Sequence, residues 1–338
     1  MSCLTRREFI ERSLIVAGTA ALLPTGEANA ATAGMQSPIL RRAFGRTGES
    51  VTFIGLGGGS RFYEPVPDDE QGAELVRQAI DAGVGVVETA ANYGPDNASE
   101  RRIGLAMATH RDRVFLETKI DARDYSGAMR EMERSLKLLR TDRIDLILHH
   151  NLRPADDLDR ILGSGGADQA IRRLVDQKVV HFRGFSCHYP ELVRVAMDRF
   201  DPDGMQLPLN ATRVPDFEKE VLPLASERGI GVVAMKTVGH GYFLPANTTR
   251  PDREDRYGAP AGVLARPDLP TAREYLHYAL TLPIATAVVG MDSLATIRSI
   301  LADVSAFRPM AEDERLALTK RAQVFSDTGY WIPQPRSG

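Results

Sequence analysis

The sequence predicts an α/β fold: a closed (β/α)8 TIM barrel with an N-terminal hairpin and an extra C-terminal helix. Two observations carry this. Beyond the first 50 residues, short β-rich runs ending in Gly, Asn or His alternate with longer amphipathic runs, without a break in composition. Strands alternating with helices imply βαβ units and a parallel sheet. Eight such units in about 250 residues match the size of a closed barrel. An open doubly wound sheet is the alternative, and it usually carries a G-x-G-x-x-G turn behind its first strand. Here the first strand ends Gly55-Leu56-Gly57-Gly58-Gly59-Ser60. A third glycine at the required spacing is missing, and no helix is expected directly behind. The run reads as a tight strand-end loop that admits a ligand near Gly58.

In chain order, residues 39–44 and 49–54 flank Gly45-Arg46-Thr47-Gly48, a hairpin signal. This hairpin is placed to plug the bottom of the barrel. The eight strands are expected at 51–57, 84–89, 114–120, 144–150, 182–188, 205–210, 231–237 and 286–290. The eight helices are expected at 69–82, 99–108, 126–139, 167–178, 191–199, 217–228, 272–282 and 294–306. A further helix at 312–325 closes the barrel domain, taken as 39–330, before a short tail at 331–338. The stretch 239–270 is rich in Pro, Gly and charge and reads as a long loop behind the seventh strand. Barrel active sites sit on that face, and loops of this length usually serve function or are disordered.

The 338 residues hold 42 Lys and Arg against 45 Asp and Glu, a net charge of −3. That balance gives no electrostatic footprint for nucleic acid. At 43% hydrophobic and 26% charged, the composition is that of a globular chain and excludes disorder. Two cysteines, Cys3 and Cys187, are too few for a disulfide framework.

Residues 1–30 read as an export signal, with 31–38 as a linker. Thr5-Arg6-Arg7 and Phe9-Ile10 precede an apolar run from Leu14 to Leu23, and Ala28-Asn29-Ala30 closes the segment. A charged start, a short apolar middle and an A-x-A end describe a secretory signal. The arginine pair resembles the twin-arginine type, which is read by a receptor. The expected partner is then the twin-arginine export machinery. The expected location is the periplasm or the exterior, after folding in the cytoplasm and cleavage near Ala30. The apolar run is about half of what spans a bilayer, so no stable membrane insertion is expected after cleavage. A basic tail or an amphipathic surface helix is the alternative.

In such a barrel, polar residues at the C-terminal ends of strands are catalytic candidates. Glu88 ends the second strand, Tyr93 follows in the next loop, Lys119 ends the third, and His149 and His150 end the fourth. A phenol with a pKa of about 10 is a poor acid at neutral pH. A nearby ammonium lowers that pKa, and a carboxylate holds the ammonium in place. An imidazole orients a carbonyl oxygen or assists the proton transfer. Only one of the two histidines can face the barrel axis, because strand neighbours point oppositely. A metal site is not expected.

Together these segments resemble the aldo-keto reductases. The resemblance rests on Phe44-Gly45-Arg46-Thr47-Gly48, Ile54-Gly55-Leu56-Gly57-Gly58 and Glu88-Thr89-Ala90-Ala91-Asn92-Tyr93-Gly94. It continues through Thr118-Lys119, the run from Ile144 to His150, Gly184-Phe185-Ser186 and the run from Gly229 to Lys236. It implies an NAD(P)H-dependent enzyme interconverting a carbonyl and an alcohol, with a small carbonyl compound as substrate. Tyr93 matches the family's proton donor and Lys119 its lysine. The family histidine follows the aspartate matched by Asp145 at a fixed distance, which selects His150. The family aspartate is replaced by Glu88. The resemblance assigns cofactor contacts to Ser186, Gln206 and Met235, with Cys187 standing where an Asn is usual. NADP is the family's cofactor, but its usual basic pair aligns with Gly290 and Thr296. Arg298 and Lys236 are the substitutes the sequence offers, and Ser293 is a helix cap able to meet a phosphate. NADP and NAD both stay open. So does a barrel of this family that binds a nucleotide or sugar without reducing anything. A metal-dependent hydrolase or aldolase on another barrel is the remoter alternative.

Overall fold

Among the described residues ten strands are present, of which eight close into a barrel. In the computed structural model, residues 39–66, 68–153, 157–239 and 268–326 are described. The export signal, the linker, most of the 239–270 loop and the C-terminal tail lie outside the described residues. β1 (Arg41–Ala43) and β2 (Ser50–Thr52) form an antiparallel hairpin. The barrel strands are β3 (Ile54–Gly57), β4 (Val86–Glu88), β5 (Phe115–Ile120), β6 (Ile144–Leu152), β7 (Val180–Cys187), β8 (Gly204–Pro208), β9 (Gly231–Met235) and β10 (Thr286–Val289). They run in the order β10-β3-β4-β5-β6-β7-β8-β9, and the parallel pairing of β10 with β3 closes the ring. The extra helix, Glu312–Ala322, is present behind the last unit.

The hairpin does close the bottom. Phe44 is fully buried and packs on Phe115, ring centroids 5.0 Å apart, at the N-terminal ends of the strands. A Cβ on Gly231 would lie 2.6 Å from the Phe44 ring, so the first residue of β9 has to be glycine. Phe44 belongs to an interior cluster with Val86, Leu146, Leu148, Val233 and Val288. The remaining core fills the layer between strands and helices.

Three local readings change. The expected strand 51–57 is two strands. Thr52 Oγ1 donates to Ile54 O at 2.7 Å and accepts from Gly85 N at 3.0 Å, which ties a corner where the chain leaves the hairpin. A short helix, Ser60–Tyr63, does stand behind the glycine run. It is anchored by fully buried Phe62, whose N–H donates to Gly59 O at 2.8 Å. A second short helix, Asp157–Leu162, precedes Ala167–Asp176. Elsewhere helix starts follow their caps. Asp68 accepts from Gln71 N at 2.8 Å, and Asp124 accepts from Gly127 N at 2.9 Å. Among the described residues, no helix is long and apolar enough to cross a membrane.

Alternation along the strands then sorts the interior. Phe115, Glu117 and Lys119 share one face of β5. Leu146, Leu148 and His150 share one face of β6, and Phe182, Gly184 and Ser186 one face of β7. Each series runs from apolar at the bottom to polar at the top, which is where the site lies.

Candidate active site

Glu88, Tyr93, Lys119 and His150 come together at the C-terminal mouth. Glu88 is the last residue of β4 and is almost fully buried. Lys119 Nζ donates to Glu88 Oε1, and also to Thr89 O at 2.8 Å. Tyr93 Oη donates to the same Glu88 oxygen at 3.2 Å. Gln206 Nε2 donates to it as well, at 3.2 Å. The other oxygen, Oε2, accepts from Gly58 N at 3.1 Å. Glu88 is therefore the hub of the site.

This arrangement corrects one expectation. The ammonium was expected to lower the Tyr93 pKa. Instead Lys119 Nζ lies over the Tyr93 ring, 4.9 Å from its centroid, and Glu88 sits on the hydroxyl. Burial pushes the Tyr93 hydroxyl pKa well up, and the nearby Glu88 and Glu117 carboxyls push it the same way. The physical reason is burial of the hydroxyl first, and then the Glu88 and Glu117 carboxyls beside it, with Glu88 accepting its hydrogen bond.

His150 packs edge-on against Tyr93, ring centroids 5.7 Å apart at 76°. Its Nδ1 lies 3.3 Å from Asp121 Oδ1. Burial lowers its pKa, and Asp121 opposes that shift. His149 points the other way. It packs on Phe200 at 5.5 Å and lies 3.7 Å from Asp168 in the helix layer, where burial lowers its pKa. The alternation argument for the two histidines thus holds in the structure.

The residues assigned to the cofactor are spread around the rim. Ser186 Oγ accepts from Asn151 N at 2.7 Å. Gln206 keeps a buried Oε1 without a partner. Met235 ends β9 and packs against the interior cluster. Lys236 follows it with φ +56°, and burial pushes its pKa down to about 7. Cys187 faces out of the barrel, next to Leu152 O and Tyr189 O, and burial pushes its thiol up to about 12. Ser293 does cap the helix Leu294–Ser305, accepting from Thr296 N at 3.1 Å. The same helix start carries Asp292, which accepts from Thr296 Oγ1 at 2.6 Å. Arg298 is exposed on that helix, away from its first turn. Gly58 leaves no room for a side chain, because a Cβ would lie 2.6 Å from Glu88 O. That close approach is to the backbone of Glu88, whose side chain is the hub of the site.

Three further residues belong to this site. Glu117 and Asp121 lie two residues either side of Lys119, so a strand period of two was the available signal. Asn151 is the third, and nothing in its local sequence marks it. Among the described residues, no group of three or more His, Cys, Asp or Glu side chains is placed to hold a metal ion.

Known proteins share this architecture. An aldo-keto reductase from Bacillus halodurans, solved in its holo form, superimposes with a TM-score of 0.67 at 21% identity, covering 83% of this chain and 96% of that one. An aldo/keto reductase from Klebsiella pneumoniae, solved in complex with NADP and acetate, gives a TM-score of 0.60 at 21% identity, covering 85% and 94%. In sequence, the soybean (Glycine max) protein named "Probable aldo-keto reductase 1" is 27% identical over 223 residues, 62% of this chain. The chain likewise spans 62% of the length of that curated relative. The sequence profile of the Aldo/keto reductase family matches residues 54–302, nearly the whole barrel. With most of its length inside that match, this chain belongs to the aldo/keto reductase family.

Proposed function

We propose that the barrel interconverts a carbonyl compound and an alcohol using a nicotinamide cofactor, with Tyr93 as proton donor. The observation that carries this reading is the shared Glu88 oxygen. It holds the Tyr93 hydroxyl at 3.2 Å and pairs with Lys119, both partners of that pair being buried at the barrel mouth. A phenol held neutral is a hydrogen-bond donor. It gives up its proton only when a strong base, such as a developing alkoxide, is placed against it. His150, edge-on to Tyr93 and tied to Asp121, is positioned to hold the substrate oxygen.

The cofactor supplies hydride when bound. Gln206 fits the nicotinamide amide, since its buried Oε1 has no partner in the protein. Ser186 and Met235 complete that side. NAD and NADP remain separate readings. Lys236 and Arg298 are the cations available for a 2′-phosphate. Asp292, at the helix start capped by Ser293, disfavours an added phosphate there and supports NAD.

The test is hydride transfer from deuterium-labelled NADPH and NADH to aldehydes, ketones and keto sugars, beside a binding titration of each cofactor. Deuterium on the product carbinol carbon is expected. Tight cofactor binding without any transfer would overturn reduction and leave a nucleotide-binding barrel.

Residues 1–30 fit a twin-arginine signal, which would export the folded protein to the periplasm or beyond. Arg6→Lys combined with Arg7→Lys is then expected to leave the chain uncleaved in the cytoplasm. Fractionation and intact mass check this, and normal export of the double variant would overturn the route.

A further inference from the structure

Glu117 lies on β5 two residues before Lys119 and faces the same barrel interior. It is fully buried. Neither of its carboxyl oxygens meets a hydrogen-bond donor. Its cation is Lys119, with Nζ 3.7 Å from Oε1. That ammonium makes its closer contacts elsewhere, to Glu88 Oε1 and to Thr89 O. Across β4 the register partner of Glu117 is Glu88, and across β6 it is Leu146. The charged groups acting on Glu117 are therefore Lys119, which attracts its ionised form, and Glu88, which repels it. One ammonium thus faces two buried carboxyls. A buried carboxylate without donors is costly, and such a group keeps its proton instead.

We propose that Glu117 is a positioning residue that stays protonated beneath Lys119 while the site works. The inference rests on the reading of Tyr93 as proton donor. While Glu117 is neutral, Glu88 is the one carboxylate that pairs with Lys119, and of these two carboxyls only Glu88 bears on the Tyr93 hydroxyl with a negative charge. Once Glu117 loses its proton to solvent water, a second negative charge stands below the ammonium. That charge acts on Tyr93 in the direction that opposes proton release. Burial pushes the Glu117 carboxyl up to about 8, so the change falls just above neutral pH. Turnover should step down as pH rises past this point to a lower plateau with Glu117 ionised, by up to about tenfold for each pKa unit the new charge adds to Tyr93.

Two measurements test this on the full chain. The first is the infrared spectrum of the protonated carboxyl region at neutral pH, for wild type and Glu117→Gln. A carboxyl band without hydrogen bonds is expected in wild type and absent from the variant. Buried Glu100, which accepts from Thr118 Oγ1 at 2.8 Å and Ser135 Oγ at 3.1 Å, absorbs separately because it is hydrogen-bonded. The second is the pH profile of kcat with cofactor and carbonyl saturating. The alkaline fall is expected in wild type and lost in Glu117→Gln. Glu117→Met, similar in length and apolar, repeats both measurements if the glutamine variant fails to fold. Turnover without the band, or an alkaline fall kept in the variant, overturns the inference. The band present with no turnover at any pH overturns the carbonyl-reduction reading instead.

Discussion

Tyr93→Phe is expected to lower kcat by about 10²–10⁴-fold, the span typical of losing a general acid. Cofactor affinity should change little. The substitution removes one oxygen and leaves the ring. The edge contact to His150 at 5.7 Å and the Lys119 ammonium over the ring at 4.9 Å both survive. Glu88 Oε1 loses one donor but keeps Lys119 and Gln206 Nε2. The site should therefore stay assembled, with its acid gone. Steady-state kcat and KM, followed by single-turnover hydride transfer, separate this from a binding defect. Retention of most of the turnover would move the acid to another group. His150 is then the next candidate, since its Nδ1 faces Asp121 at 3.3 Å and its ring borders Tyr93.

The barrel was legible because its signal repeats. Eight apolar runs at βαβ spacing leave little freedom for the sheet, and the structure adds the caps Asp68 and Asp124 that fix two of the expected helix starts. The hairpin followed from its two glycines, and the burial of Phe44 explains why Gly231 admits no side chain. Short elements were less legible. Ser60–Tyr63 has four residues, too few for a helical period, and is fixed by Phe62 reaching the core. The corner at Thr52 depends on hydrogen bonds to Ile54 and Gly85, which no periodicity announces.

The site divides in the same way. Strand ends placed Glu88, Lys119 and the two histidines; alternation said that one of them faces the axis, and the family's spacing from Asp145 selected His150. The direction of the Tyr93 shift was not legible. It turns first on burial of the hydroxyl and then on the Glu88 and Glu117 carboxyls that the closed barrel brings beside it. Glu117 was not singled out in the sequence, where it is one carboxylate in an apolar strand. Only the closed barrel shows that it has no hydrogen-bond donor and shares its single cation with Glu88.

Lys119→Met is expected to destabilise the protein by about 3–5 kcal/mol near neutral pH, the cost of removing one partner from a buried ion pair. Lys119 is fully buried, and its ammonium is the cation that pairs with both Glu88 and Glu117. Methionine fills similar space, so the loss is one of charge more than of packing. Glu88 would keep Gln206 Nε2 and Gly58 N as donors, and Glu117 would have none. The pH dependence gives the distinguishing sign. Without the ammonium, Glu117 loses the charge that favours its ionised form and holds its proton still more tightly in the folded chain. A carboxyl with a raised folded pKa favours the folded state in acid and loses that advantage as pH rises through the raised value. The gap between variant and wild type should therefore be steady from about pH 6 to about pH 7 and widen above about pH 8, where Glu117 ionises in the wild type first. Thermal melting of both proteins across this range checks it. Adding Glu117→Gln to Lys119→Met should recover part of the loss at the alkaline end, because it removes one of the two stranded carboxyls. A gap of constant size across the range would mean that Lys119 stabilises the barrel through its hydrocarbon stem. The charge balance drawn for Glu88 and Glu117 would then be wrong.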